Sequence, residues 1–123
     1  MIDDRLDALT ANINGCAFQV SNTLGCGFLE KVYENALAYE LRKHGLDVIQ
    51  QAPVKVHYEQ VVVGEYSADL LLSNAVIVEL KAVKEINAAF TAQCLNYLKA
   101  TGLPICLLLN FGKPRVEIKR FRL

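Results

Sequence analysis

Long apolar runs, paired cysteines and net charge are all missing from this 123-residue chain. No block approaches the roughly 18 consecutive apolar residues of a membrane-spanning helix, so a membrane protein is not expected. The opening Met1-Ile2-Asp3-Asp4-Arg5-Leu6-Asp7 is acidic and has no basic n-region of a secretory signal, which makes a cytoplasmic location the expectation. Cys16, Cys26, Cys94 and Cys106 lie far apart without a CxxC pair, and that argues against both a zinc site and a disulfide framework. Each sits among apolar neighbours and is expected in or near the core, reduced and behaving as a small hydrophobe. No GxGxxG or GxxxxGK[ST] run occurs, and neither His44 nor His57 is placed as a catalytic partner for a cysteine or serine. A redox or nucleotide-cofactor protein therefore has little support.

The zero net charge argues against strong nonspecific nucleic-acid binding, but it hides an asymmetry. Residues 1–80 hold 5 basic and 11 acidic side chains, and residues 81–123 hold 8 and 2. Five of the later bases, Lys113, Arg115, Lys119, Arg120 and Arg122, crowd the last strand-like segment. One reading is a local basic surface that meets phosphate. The other is an edge strand guarded from aggregation by its charges.

What is present is ample apolar material, 53% of residues, without repeat, low-complexity tract or linker. One domain over residues 1–123 is expected. Leu6, Leu9, Ile13, Ala17, Val20 and Leu24 recur at three and four, which predicts an amphipathic helix from about Ile2 to Leu24. After Gly25-Cys26-Gly27 a second helix is predicted from about Phe28 to Lys43, closed by His44-Gly45. Val48-Ile49 and then Val54–Tyr58 read as strand, with Pro53 marking an edge position. Strands follow at Val61–Leu72 and Ala75–Ala82, separated by a tight turn at Ser73-Asn74. A third helix spans about Ala88 to Ala100, and strands close the chain at Pro104–Asn110 and Arg115–Phe121. The order α-α-β-β-β-α-β-β implies an α/β (α+β) domain, a mixed sheet flanked by helices.

The segment that carries chemistry runs from Ser67 to Lys81. Val76, Ile77, Val78 and Leu80 describe a central strand, in which Glu79 and Lys81 are charges where charges are normally excluded. Residues two apart share a face, so both emerge together. The turn at Ser73-Asn74 brings Asp69 across from Val78 or Glu79, with cross-strand Cβ atoms about 5 Å apart. Two carboxylates suit Mg2+ or Mn2+ in a mostly hydrated shell with positions open to phosphate oxygens. A nearby lysine can orient the attacking water and stabilise developing negative charge. A structural Glu79–Lys81 ion pair, or a polar face open to water, accounts for the same pattern. Glu30 stands in the first turn of the second helix with Tyr33 beside it at i+3, and Gln93 shares a face of the third helix with Tyr97. Taken alone these four read as a first-turn acid, a core aromatic, a partly exposed glutamine and its neighbour.

Gly27-x-x-Glu30-x-x-Tyr33, Ala68-Asp69-Leu70-Leu71, Ile77-Val78-Glu79-Leu80-Lys81-Ala82-Val83, Ala92-Gln93-x-x-x-Tyr97-Leu98 and Leu109-Asn110-Phe111-Gly112 together resemble the GxxExxY protein family of the PD-(D/E)XK nuclease-like superfamily. The resemblance covers nearly the whole chain in order. It implies a restriction-endonuclease-like αβββαβ core, here with an extra N-terminal helix and a C-terminal strand. It implies Asp69 and Glu79 as metal ligands with the Leu80 carbonyl as a third, Lys81 as the catalytic lysine, and Glu30 as a helper acid. Gln93 and Tyr97 resemble the accessory pair on the later helix. Ala68 replaces the usual proline, and Phe90 stands where many relatives carry a histidine. The function implied is metal-dependent phosphodiester hydrolysis, on DNA ahead of RNA, by a homo-oligomer that extends a small surface. The alternative is a non-catalytic binding or assembly module, for which exposed-looking aliphatics on the first helix would supply self-association.

Overall fold

The computed structural model describes residues 2–123, with side chains from Asp4 onward, so the side chains of the acidic opening Met1 to Asp3 lie outside the described residues. The elements are α1 (Ile2–Leu24), α2 (Glu30–Lys43), β1 (Val48–Tyr58), β2 (Val61–Leu72), β3 (Val76–Lys81), α3 (Ala88–Thr101), β4 (Ile105–Asn110) and β5 (Glu117–Phe121). The strands form one sheet in the spatial order β1-β2-β3-β4-β5. β3 and β4 are parallel, every other neighbouring pair is antiparallel, and α3 is the crossover that the parallel pair requires. This is the element order and mixed sheet expected from the sequence.

The sheet is covered on both faces. Val76, Val78 and Leu80 of β3 and Ile105, Leu107 and Leu109 of β4 join α1 and α2 in one core. Ile77, Cys106 and Leu108 pack with Cys94, Tyr97 and Leu98 of α3 in the other. β3 and β4 are buried on both faces, which is why their sequences read as continuous apolar runs. No helix among the described residues is long and apolar enough to cross a membrane.

Several local expectations are corrected. The aliphatic stripe of α1 is not exposed, because Leu6, Ile13, Ala17 and Val20 are buried in the first core. Exposed apolar side chains instead include Phe28, Leu29 and Val32 around the start of α2, and Val61, Val62 and Val63 beside the β1–β2 turn. Helix α2 begins at Glu30 rather than Phe28, with Leu29 as its extended N-cap residue. Cys26 is exposed while the other three cysteines are buried, all four as free thiols. It lies between Gly25 and Gly27, whose φ values of 68° and 117° swing this link outward from the core.

β1 runs unbroken through Gln50–Pro53, and Pro53 is tolerated because this edge strand pairs with β2 alone. The ribbon of β1 and β2 changes its buried face midway. Val48, Leu70 and Leu72 lie in the α1–α2 core, whereas Val54 and Ala68 lie in the α3 core. Residues an even number apart on a regular strand would share a face. The switch falls at Gln51, whose φ of 53° is left-handed, opposite Asp69. Such a conformation in a non-glycine residue costs on the order of 1–3 kcal/mol. β5 is an edge strand, and part of the basic charge on it and on the segment just before it is engaged within the chain. Arg120 lies 3.1 Å from Asp7, Lys113 3.5 Å from Glu117, and Arg115 sits over the Phe18 ring at 5.0 Å.

Candidate active site

The β2–β3 ladder starts at Leu72–Val76 and ends at Leu70–Val78, so the sheet forks at the next opposed residues, Asp69 and Glu79. The tight turn that sets this register has Ser73 and Asn74 both at φ 52°, with Ala75 N–H donating to the Leu72 carbonyl at 2.9 Å. Where the strands part, their N–H groups lose ladder partners, and the carboxylates replace them. Asp69 N–H donates to Oε2 of Glu79 at 2.7 Å, and Leu80 N–H donates to Oδ2 of Asp69 at 2.8 Å. The expected opposition of Asp69 and Glu79 is what the fold builds.

Glu79 is only 3% exposed, and its pKa is pushed up to about 8 by burial first and then by the Asp69 carboxylate. The Lys81 ammonium works against this without cancelling it. Burial also raises the pKa of Asp69, opposed by the Leu80 N–H. Glu30, in the first turn of α2, is raised by burial and then by the Asp69 charge, so both glutamates respond to Asp69. Lys81 is half-buried and forms no ion pair within 4 Å among the described residues; its Nζ lies 4.6 Å from the Phe90 ring centroid. The position where a histidine was expected therefore holds the lysine through its aromatic face. A structural Glu79–Lys81 ion pair is not formed.

The backbone around Lys81 is clamped. Phe111 N–H donates to the Lys81 carbonyl at 2.8 Å. The fully buried Asn110 amide accepts from Val83 N–H at 3.0 Å and Gly112 N–H at 2.9 Å, and donates to the Val83 carbonyl at 2.9 Å. Gly112 has no alternative, since a Cβ there would run into the Val83 backbone. The Phe111 ring stacks on Tyr33 with centroids 4.8 Å apart and planes 12° from parallel. Tyr33 in turn donates its hydroxyl to the Gly25 carbonyl at 2.6 Å and accepts from Phe28 N–H at 3.2 Å. One stack thus joins the Gly25–Glu30 segment to the strand end that carries Lys81.

Gln93 donates to the Tyr97 hydroxyl at 3.2 Å, and that hydroxyl lies 3.5 Å from the Ser67 carbonyl. Burial and then the Glu79 charge push the Tyr97 phenol up to about 12, and its contact with Ser67 places it two residues along β2 from Asp69. Three further residues escaped the sequence reading: Glu34, Gln50 and Gln51. Glu34 is 3% exposed and accepts from Lys31, Gln50 and Gln51, and Gln51 Nε2 also lies 3.4 Å from Oδ1 of Asp69. The signal for Glu34 was its i+4 spacing from Glu30 on one helix face.

Among the described residues no three His, Cys, Asp or Glu side chains gather as a cation cage. Mg2+ is commonly held through only one or two carboxylates, completed by water and substrate oxygens. The donors fit that pattern. Asp69 and Glu79 are hard oxygen ligands, each commits one oxygen to the fork, and Oε1 of Glu79 has no hydrogen-bond partner among the described residues.

Comparison with solved structures finds the crystal structure of an alkaline exonuclease from Laribacter hongkongensis, with a TM-score of 0.55 and 13% identity. The match covers 89% of this chain and 68% of that one, and it supports a restriction-endonuclease-like fold. No curated protein matches the sequence significantly. The family model of the PD-(D/E)XK nuclease superfamily matches residues 7–121, almost the whole chain, and with that match the chain belongs to the PD-(D/E)XK nuclease superfamily.

Proposed function

We propose that this chain is a metal-dependent nuclease of the GxxExxY type, with residues 1–123 as one catalytic domain. The observation that carries the reading is Glu79, a buried carboxylate with a raised pKa, a second acid beside it and no ion-paired cation. Asp69 and Glu79, with the Leu80 carbonyl, would hold Mg2+ or Mn2+. The ion, when bound, polarises the phosphodiester and makes its water more acidic. Lys81, steadied over Phe90, orients the attacking water and faces the negative charge that develops on the phosphate. Glu30 helps to hold the ion's water shell from the α2 side. Gln93 and Tyr97 offer an amide and a hydroxyl to the nucleic-acid strand beside the fork.

Nucleic acid is the partner, DNA ahead of RNA, in a cytoplasmic setting that keeps the thiols reduced. Membership of a nuclease superfamily does not favour the non-catalytic module. A small chain with zero net charge has little surface for gripping a duplex, and self-association supplies the rest. Light scattering that returns a monomer mass at working concentration removes the oligomer from the proposal. The decisive experiment is cleavage of labelled single- and double-stranded DNA and RNA with Mg2+ or Mn2+. Wild type should cut at least one substrate, and Glu79→Ala and Lys81→Ala should each lose most of that activity. Full activity in either variant, or activity that survives EDTA, refutes the assignment.

A further inference from the structure

Gln50 and Gln51 are neighbours on β1, and neighbours on a regular strand point to opposite faces of the sheet. Both nevertheless reach one carboxylate. Gln50 donates to Oε2 of Glu34 at 2.8 Å, and Gln51 donates to Oε1 at 2.7 Å. The left-handed backbone of Gln51, φ 53°, permits this by turning its side chain toward α2. The same Nε2 lies 3.4 Å from Oδ1 of Asp69, the residue that the flanking pairs Gln50–Leu70 and Ala52–Ala68 place opposite.

Gln51 supplies the donor to Oε1 of Glu34, but the other oxygen, Oε2, needs no strained residue. Lys31 Nζ at 2.9 Å and Gln50 already donate to it. What Gln51 does alone is join Glu34 to Asp69. A strained residue whose one amide meets both the buried Glu34 and Asp69 points to the site beside it. We infer that Gln51 is a positioning residue for the candidate cation site: anchored on Glu34, its amide fixes the Asp69 carboxylate in the orientation that a divalent ion requires. The inference rests on the reading of Asp69 and Glu79 as cation ligands. Asp69 is then held at both oxygens, Oδ2 by Leu80 N–H and Oδ1 by the amide, so its plane is set before any ion arrives. The amide hydrogens also lie between two acids that would otherwise repel one another directly.

The test is Mn2+ titration of the full chain with free ion read by electron paramagnetic resonance, and thermal unfolding measured in parallel. The variants are Gln51→Met, Gln51→Gly, Gln50→Met and Glu79→Ala. Methionine keeps the side-chain volume, glycine releases the left-handed backbone, and both remove the amide. Should the methionine variant fold poorly, the glycine variant still carries the test. Both Gln51 variants should bind Mn2+ about tenfold more weakly or worse, the usual effect of removing a partner behind a ligand. Gln50→Met, whose amide serves Glu34 and Asn35 but not Asp69, should stay within about twofold of wild type. The spectrum of the ion that remains bound should change shape in the Gln51 variants only. Wild-type affinity in both Gln51 variants, with Glu79→Ala defective, overturns the inference and leaves the site reading standing. Equal weakening in Gln50→Met overturns it too, because the burial of Glu34 would then be the cause. Undiminished binding by Glu79→Ala brings down the site reading and the inference together.

Discussion

Glu79→Gln should make the metal-free protein more stable, and increasingly so as pH rises. The folded-state pKa of Glu79 is about 8 against an ordinary 4.5, because burial and then the Asp69 charge disfavour the ionised form. A group that holds its proton more tightly when folded leaves stability intact below its unfolded pKa. It removes stability as pH climbs from 4.5 toward 8. At roughly 1.4 kcal/mol per pH unit, the full interval amounts to about 4–5 kcal/mol, a large share of the 5–15 kcal/mol that holds a domain folded. Between about pH 5.5 and about pH 7.5 the loss is about 2–3 kcal/mol. Glutamine keeps the size and an oxygen to accept Asp69 N–H, but it has no charge to bury. Asp69 and Glu30 are also raised and bend both curves in the same direction, so the difference between wild type and variant isolates Glu79. Urea unfolding in EDTA across this range is the assay. The wild-type curve should fall below that of Glu79→Gln by about 2–3 kcal/mol more at the upper end, and Mg2+ should lift the wild type alone. Parallel curves, agreeing within about 0.5 kcal/mol throughout, refute the reasoning.

Three further predictions concern the frame. Gly112→Ala forces a methyl into the Val83 backbone, and urea unfolding should show a loss of about 3 kcal/mol or no folded protein. Asn110→Ala strips four hydrogen bonds from a fully buried position, three to the Val83 and Gly112 backbone and one to Glu117, and should cost about 3 kcal/mol by the same measurement, with faster amide exchange at Val83. Tyr33→Phe keeps the stack on Phe111 but loses the hydroxyl bonds to Gly25 and Phe28, so about 1–2 kcal/mol of stability should go. On the proposed nuclease reading, cleavage by that variant should also fall, because Glu30 follows this segment directly.

The order of elements was legible because each kept its own period: threes and fours in α1, continuous apolar runs in β3 and β4, and turn residues at Ser73-Asn74. Asp69, Glu79 and Lys81 were legible because charge in a central strand is rare, and a short turn fixes the register. The rest depended on distance in the chain. Nothing local marks Gln51 as left-handed, since inside a strand, away from any turn, a non-glycine residue takes that backbone only when contacts elsewhere impose it. Cys26 looked apolar in sequence, yet the two glycines beside it place it outside. Tyr33 and Phe111 stand 78 positions apart, and only the packing of α2 on the sheet brings their rings together.

The fork also bears on why its residues are acids. If closing the end of the β2–β3 ladder were the only task, asparagine at 69 and glutamine at 79 would accept the same two N–H bonds. Neither would bury a charge, and replacing buried ions by neutral groups of like shape is often neutral or stabilising. The chain instead places two carboxylates at the fork, adds Glu30 beside them, and leaves Lys81 over an aromatic ring rather than in an ion pair. Around them it spends rigidity freely: Asn110 and Gly112 clamp Val83, Phe111 holds the Lys81 carbonyl, and Gln51 accepts an unfavourable backbone. Stability alone selects against such an arrangement. The proposed divalent cation would reverse the sign of the argument, because it would convert mutual repulsion among the acids into shared attraction, and a rigid surround would then keep its ligands from drifting apart.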